Sequence, residues 1–351
     1  MCGICGFIGN PIDIQRDEMV SSLRHRGPDD EGTFEVSMPS GVLWFGHRRL
    51  SILDLSFAGH QPMSSADGRF TVVFNGEIYN FQDVRMELEH ADHVFRSQTD
   101  TEVILHGWKE WGVSCLNRFR GMFAFALWDQ DEQCLWLARD RMGEKPLYYA
   151  QQQDRFLFAS EVRSLLASGV IERRIDSDGL DAYLTFGSVA DPYTMVAGVR
   201  AVEAGHWVRI QGSNVTSQPF WSLLDIPEQV NEVDRGLVLR DVEALLRESC
   251  KLSMVSDVPV GVLLSGGIDS SSNVVLLSEL GYSNLMTFSV NFEGSDIRFN
   301  EAQWSSLVAK RFGTHHRPVA VTEEHALAWV TDAVFAMDQP TWDGVNTYFV
   351  C

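Results

Sequence analysis

A cysteine stands directly behind the initiator methionine, at the head of a short apolar stretch broken by glycines, Met1-Cys2-Gly3-Ile4-Cys5-Gly6-Phe7-Ile8-Gly9. This start constrains the chain more than any other feature. Removal of Met1 would leave Cys2 with a thiol and a free α-amine on one carbon. The ordinary pKa values are about 7.7–8.0 for such an amine and about 8.5 for the thiol. A single residue would then carry a nucleophile and a base able to take its proton near neutral pH. The alternative is a small buried cysteine in a glycine-rich first strand. The choice between the two rests on the rest of the sequence.

Segments 2–8, 41–46 and 70–75 are predicted as strands, being short, apolar and bounded by Gly, Pro, Asn or Asp. Between the first two lies His25-Arg26-Gly27-Pro28-Asp29-Asp30-Glu31-Gly32, which its Gly-Pro pair marks as a turn or loop. The strand ending in Gly46-His47-Arg48-Arg49-Leu50-Ser51-Ile52 delivers two guanidiniums. Arginine grips a planar carboxylate with two parallel hydrogen bonds, although two adjacent arginines are also common on a surface. Phe70–Phe74 runs into Asn75-Gly76-Glu77-Ile78-Tyr79-Asn80. Asn-Gly often marks a hairpin turn, but the pattern after it is helical, through Phe81–Leu88. An amide side chain and a glycine N–H at a strand's end are suitable donors to a developing oxyanion. Asp100 opens a helix through Trp108, and an acid in a first turn is often only a cap. Gly121–Trp128 and Cys134–Arg139 are two strands joined by a polar turn at 129–133. Arg139-Asp140-Arg141-Met142-Gly143-Glu144-Lys145-Pro146-Leu147-Tyr148-Tyr149 is a charged loop leading to another strand.

Further on, helices are predicted from Ser160 and from Ser177, and Val199–Ile210 as a hairpin turning at Gly205. Residues 211–234 are polar and aperiodic and are expected to be a linker, with domains at 1–210 and 235–351. A helix begins near Arg235, with Leu237, Val238, Val242, Leu245 and Leu246 near helical spacing. Pro259–Leu264 is a buried strand that runs into Ser265-Gly266-Gly267-Ile268-Asp269-Ser270-Ser271 and then a helix. Strand, glycine turn and helix start make an anion site, with free N–H donors at the helix end. Two adjacent glycines alone would indicate only an ordinary βα turn. Strands at Leu285–Phe292 and His315–Val321 alternate with helices at 301–312 and from Thr322, whose Leu327, Val330, Val334 and Met337 form an expected core stripe. Such alternation implies a parallel, doubly wound sheet with its site at the carboxyl ends of the strands. The adjacent His315 and His316 point to opposite faces of their strand and do not suggest a shared metal ion.

Composition removes whole classes of function. The 351 residues carry 48 acids against 28 bases, a net charge of -20, which argues against nucleic acid or an anionic membrane as partner. The six cysteines show no metal-ligand or disulfide spacing, and Cys2-x-x-Cys5 lies at the wrong place for a redox dithiol. No apolar run approaches the roughly 20 residues of a membrane span, and no signal peptide is evident. Reduced thiols point to the cytoplasm. A homo-oligomer is compatible with the sequence, which does not read out oligomeric state.

Taken in order, the Cys2 strand, 25–32, 47–52, 75–80, 121–129 and 139–149 resemble the glutaminase domain of the class II glutamine amidotransferases, the N-terminal-nucleophile group. Residues 265–271 are similar to the pyrophosphate loop of ATP pyrophosphatases. The combination resembles the glutamine-hydrolysing asparagine synthetases. The resemblance implies an α+β N-terminal-nucleophile domain, layered αββα, followed by an α/β domain. It implies Cys2 as nucleophile with its own α-amine as base, and Asn75 with Gly76 as oxyanion hole. Glutamine would be held by Arg49, Leu50, Ile52, Asn75, Gly76, Glu77 and Asp100, with Arg49 on the α-carboxylate and Asp100 and Glu77 at the α-amino end. ATP would be bound by Leu263, Ser265, Gly266, Gly267, Asp269, Ser270, Ser271 and Val290, with Asp269 contacting Mg2+. Ammonia from glutamine would attack a β-aspartyl adenylate, giving asparagine and AMP, and a covered path would carry it between the domains. The sequence departs from the family at its end. It stops at Cys351, where the family continues with a second glycine-rich acidic motif and a basic residue that complete the synthetase site. Three other readings therefore stand beside this one: a glutaminase whose second domain binds a nucleotide without turnover, an amidotransferase for another carboxylate such as a sugar acid, and a non-enzymatic interaction protein. Exposed apolar surface is expected where the family's remaining part would pack.

Overall fold

The computed structural model describes residues 1–226, 234–292 and 301–350, and the chain divides into two compact units at Pro227/Glu228. The first unit begins with β1 (Gly3–Gly9), α1 (Arg16–Ser21), β2 (Asp30–Met38), β3 (Gly41–Arg49), β4 (Met63–Ser64) and β5 (Phe70–Ile78). It continues with α2 (Phe81–His90), α3 (Thr101–Trp111), β6 (Gly121–Asp129), β7 (Cys134–Arg139), β8 (Tyr148–Gln152) and β9 (Arg155–Ala159). Last come α4 (Val162–Ala167), α5 (Ser177–Phe186), β10 (Val199–Ala201), β11 (His206–Gln211) and β12 (Asn214–Pro219).

These strands form two six-stranded antiparallel sheets, ordered β10-β8-β9-β1-β3-β2 and β12-β11-β7-β6-β5-β4. The strands are apolar on both faces because both faces are covered. Ile4, Leu43, Phe45, Phe156 and Phe158 face a core shared with Val73, Ala124, Ala126, Leu135 and Leu137 of the second sheet. Their neighbours Cys5, Phe7, Trp44, Leu157 and Ala159 pack instead with Met19, Val20, Val162 and Leu165 of α1 and α4. Alternation along each strand thus feeds two cores. With α3 against the second sheet and α2 packed on α3, the unit is a layered αββα sandwich. β1 lies inside its sheet, between β9 and β3.

Three expectations change here. Residues 30–38, expected to lie in and after a loop, form β2 along β3 from Asp30↔Arg49 to Met38↔Gly41. Val199–Ile210 is not a hairpin, since β10 pairs with β8 in one sheet while β11 pairs with β7 in the other. Gly205 (φ +69) turns the chain from one layer to the next. The expected linker starts too early, because 214–219 pairs with β11 as β12 and the first unit runs to Pro227. The remainder of that segment, 227–233, lies outside the described residues.

The second unit contains α6 (Arg235–Leu252), β13 (Gly261–Leu263), α7 (Ile268–Glu279), β14 (Met286–Phe292), α8 (Ala302–Phe312), β15 (His315–Val321), α9 (Glu323–Ala336) and α10 (Gly344–Val350). Its three strands are parallel in the order β13-β14-β15. Gly313 (φ +65) ends α8, and the Thr322 hydroxyl caps α9 by accepting the His325 N–H. The α9 stripe, expected to be core, is not buried, and the apolar residues of α6 are exposed as well. Leu237, Leu245 and Leu246 on α6 and Leu327, Val330 and Val334 on α9 are exposed, and Ala333 alone is buried on α9. These helices have the amphipathic pattern of core elements without the covering layer. Among the described residues no helix is long and apolar enough to cross a membrane.

Candidate functional site

The antiparallel pairing Gly3↔Arg48 sets the start of β1 beside the end of β3. Cys2 therefore meets Leu50. The Leu50 N–H points at the Cys2 Sγ (3.4 Å), and the thiol donates to the Leu50 carbonyl at 3.7 Å. Arg26 Nε donates to the Cys2 carbonyl (2.9 Å). Its Nη1 is held by Glu161 at 2.9 Å, and Glu161 also receives His25 and Arg163. Arg26 sits in the 25–32 motif, yet only the structure reveals that it pins residue 2. Cys2 and Cys5 do not form a dithiol. Cys5 faces the helix-side core, where burial pushes its thiol up to about 12. Burial also pushes the Cys2 thiol up, and Asp100 adds to this, while the Leu50 N–H, the amino terminus and Arg49 oppose it.

The two guanidiniums of β3 separate, as alternation requires. Arg48 pairs with Glu31 (2.7 Å). Arg49 turns into the pocket, where the carbonyls of Leu53 (3.2 Å), Asp54 (2.6 Å) and Ser56 (3.0 Å) hold it. Gly59 makes room for it, since a Cβ there would lie 1.9 Å from Arg49 Nη2.

Asn75 and Gly76 sit inside β5 and not at its end, paired with Ala124 and Phe123. Alternate N–H groups of a strand point the same way. That of Phe74 goes to Gln61 Oε1 (2.7 Å) and that of Ile78 to Asp100 Oδ2 (2.9 Å). Gly76, between them, directs its N–H to the same edge, beyond the short β4. Its glycine identity has a separate cause: a Cβ would lie 2.3 Å from the Met122 carbonyl. Asn75 is fully buried, and neither Nδ2 nor Oδ1 has a partner among the described residues. A buried amide without partners costs stability unless something else supplies them.

Asp100 is not a side-chain cap of α3. It is buried, and desolvation, with a smaller contribution from Glu77, pushes its carboxyl up to about 7 against the pull of the Ile78 N–H. Burial also raises Glu77, while Lys145 and the amino terminus lower it. His47, beside Arg48, is a structural group. It donates from Nε2 to the Phe74 carbonyl (3.2 Å), and burial drives its pKa down to about 3, so it stays neutral.

One pocket brings together Cys2, Arg49, Leu50, Ile52, Asn75, Gly76, Glu77 and Asp100, every residue expected at this site. It adds Gln61, Thr99, Thr101, Met122 and Lys145, which sequence reasoning missed. Gln61 carries no motif signal. Lys145 lies in the 139–149 motif.

The second set of residues flanks the end of β13. Gly266 (φ +90) turns against α8, where a Cβ would lie 2.5 Å from Trp304 Cβ. Ser265 Oγ accepts the Gly267 N–H (3.2 Å) and meets Ser270 Oγ at 2.9 Å. Ser271 Oγ is buried without a partner among the described residues. Gly267 caps α7 with no side-chain acceptor, and Asp269 lies in the first turn. Leu263 and Val290 line a groove with Phe288, Val319 and Trp329, and none of 265–271 lines that groove. A helix start with no side-chain acceptor at its cap, beside serine hydroxyls, is a fit for phosphate oxygens. No cluster of three or more metal-binding side chains occurs among the described residues. Mg2+ does not require one, since it is commonly held by one or two carboxylates plus phosphates.

Residues 1–221 match the family model of the glutamine amidotransferase domain, and 241–351 that of asparagine synthase. Asparagine synthetase [glutamine-hydrolyzing] 3 of Bacillus subtilis is 31% identical over 99% of this chain and 58% of its own length. A Methanocaldococcus jannaschii protein, provisionally named asparagine synthetase [glutamine-hydrolyzing] 2, is 33% identical over 100% of this chain and 71% of its own. Asparagine synthetase [glutamine-hydrolyzing] 1 of Bacillus subtilis is 35% identical over 99% and 55%. The chain thus spans little more than half the length of the two Bacillus relatives.

Proposed function

The chain belongs to the glutamine-hydrolysing asparagine synthetase family, and from this premise we propose that its first unit releases ammonia from glutamine for amide formation at the second. The observation that carries the proposal is the convergence, in one pocket, of a thiol, a cradled guanidinium, a buried acid and an amide without partners among the described residues. Arg49 takes the glutamine α-carboxylate in a bidentate contact. Asp100 and Glu77 receive the α-ammonium, whose charge draws Asp100 into its ionised form. Leu50 and Ile52 shape the wall. Once Met1 is cleaved, the Cys2 α-amine takes the thiol proton and the thiolate attacks the amide carbon. Asn75 Nδ2 and the Gly76 N–H then stabilise the oxyanion. The proton passes to the leaving nitrogen, ammonia departs, and water hydrolyses the thioester to glutamate.

In the second unit, ATP is the co-substrate. Ser265, Gly266, Gly267, Ser270 and Ser271 would cradle its phosphates, the backbone of Leu263 and Val290 would flank the nucleotide, and Asp269 would supply one contact to Mg2+. A carboxylate is a poor electrophile. Adenylation gives the aspartate β-carboxylate a good leaving group, so ammonia yields asparagine and AMP. The free thiols of Cys5, Cys115 and Cys134 suit a reducing cytoplasm.

The test is one reaction with glutamine, aspartate and Mg-ATP, assayed for glutamate and AMP, beside the Cys2→Ala variant. Glutamate and AMP rising together, both lost in the variant when glutamine is the sole nitrogen source, supports the full reading. Glutamate without AMP leaves a glutaminase. Glutamate release unaffected by Cys2→Ala removes the nucleophile.

A further inference from the structure

Lys145 is 5% exposed and lines the same pocket as Cys2 and Glu77. Its backbone is rigidly set. The Lys145 N–H donates to Asp140 Oδ2 (2.9 Å), and its carbonyl accepts from Arg139 Nε (2.8 Å). Asp140, itself buried, also receives the N–H groups of Phe123, Met142 and Glu144. Arg139 is fixed in turn by Asp191 and by the carbonyls of Val202 and Gly143. This frame delivers an ammonium whose hydrogen-bond contact is the Met1 thioether, Nζ to Sδ at 3.1 Å. A thioether is a weak acceptor and does little to satisfy a buried cation. Arg26 approaches the same sulfur at 4.0 Å while holding the Cys2 carbonyl. Met1 therefore lies against two cations, and its removal would leave both beside the new terminus.

We infer that Lys145 is a positioning residue for the Cys2 chemistry: after Met1 is removed, its fixed ammonium keeps the Cys2 α-amine unprotonated and Glu77 ionised at neutral pH. This inference rests on the glutaminase reading of the pocket. The charged groups that act on Lys145 are Glu77, Arg26, Glu144 and Asp140, with desolvation the largest influence. The amino terminus of the Met1-bearing chain already responds in the expected sense. Burial lowers it most, and Arg26 and Lys145 lower it further, against Cys2 and Glu77. An added cation disfavours a second positive charge on the amine, so the amine remains a base at a pH where it would otherwise be protonated. The thiol proton then has an acceptor within the same residue.

The experiment compares Met1-free wild type, Lys145→Met and Lys145→Arg as full chains. It measures kcat/KM for glutamate release from pH 5.5 to 9 and the rate of Cys2 alkylation by iodoacetamide over the same range. In Lys145→Met the acidic limb of both profiles should move up by about half a pH unit or more, roughly a threefold loss on that limb, with rates converging near pH 9. Lys145→Arg should restore the limb. A uniform loss at every pH, or an unmoved limb, would overturn the inference and leave Lys145 as a space-filling residue. The alkylation profile separates the two levels of the argument. If wild type releases no glutamate, the glutaminase reading fails, while the limb of the alkylation profile still decides the role of Lys145.

Discussion

Asp100→Asn should stabilise the first unit while sharply weakening its use of glutamine. In the folded protein desolvation, aided by the negative charge of Glu77, pushes the Asp100 carboxyl up to about 7, against an ordinary value of about 3.9. The sign follows from proton counts. Between about pH 4 and 7 the folded chain holds a proton that the unfolded chain has lost, so stability falls as pH rises through this window. A shift of about 3 units at about 1.36 kcal/mol each sets a ceiling of about 4 kcal/mol above pH 7. Relaxation around the buried charge brings the expected gain to about 1–3 kcal/mol. Asparagine cannot ionise, and its Oδ1 can still accept the Ile78 N–H that Asp100 now accepts at 2.9 Å. By calorimetry at pH 8 the variant should unfold several degrees above wild type, at roughly 2–4 °C per kcal/mol for a unit of this size. The gap should shrink toward pH 5, and glutamine should raise wild type alone. Without a carboxylate for the α-ammonium, kcat/KM should fall roughly 100-fold. An Asp100→Asn protein less stable than wild type at pH 8, or a gap that ignores pH, would refute the reasoning.

Four further substitutions test the geometry. Gly59→Ala puts a Cβ 1.9 Å from Arg49 Nη2, so the guanidinium must leave its cradle; KM for glutamine should rise about tenfold with a smaller change in kcat, and an unchanged KM would contradict that role for Arg49. Arg48→Gln removes a partly exposed ion pair with Glu31 and should cost about 0–1 kcal/mol, leaving KM within about twofold, whereas Arg49→Gln should raise it far more; equal effects in steady-state kinetics would mean the twin arginines are not divided as their faces indicate. Gly266→Ala forces a side chain into a φ of +90 and against Trp304; it should remove the rise in melting temperature given by Mg-ATP and leave glutamate release intact, and an undiminished ATP shift would count against the loop.

What the sequence made legible was chemistry held in contiguous residues. Cys2, Arg49, Asn75, Gly76 and Glu77 each belong to a short motif, Asp100 stands at the start of a helix, and one pocket collects them. The residues missed act through long-range contacts. Gln61 reaches the Phe74 N–H, and Glu161 holds Arg26 from 135 positions away. Layer assignment was hidden for a related reason. β10 and β11 read as one hairpin because alternation reports that a strand has two faces, not which sheet it joins. β12 has the sequence of a linker because it is a polar strand at a sheet edge, where apolar alternation is weak. The stripe of α9 has the spacing of a core face because helical periodicity reports an amphipathic face, whatever covers it.

The placement of β1 answers a difficulty inherent in the proposed use of a chain terminus as a reagent. Terminal residues fray unless tied down, yet attack on an amide requires the nucleophile within a few tenths of an ångström of its place. Here the strand that follows Cys2 is an interior strand, bonded on both sides by β3 and β9. The Cys2 carbonyl is pinned by Arg26, and the Sγ is flanked by the Leu50 N–H and carbonyl. Fraying of residue 2 would require breaking contacts to β3 and to the Arg26–Glu161 pair together. Arg26→Lys, which keeps the charge but loses the fixed guanidinium donors, should therefore lower kcat more than it raises KM. Amide exchange at Gly3 and Ile4 should quicken in the same variant, and a kinetic loss confined to KM with exchange unchanged would show that Arg26 serves the substrate and not the terminus.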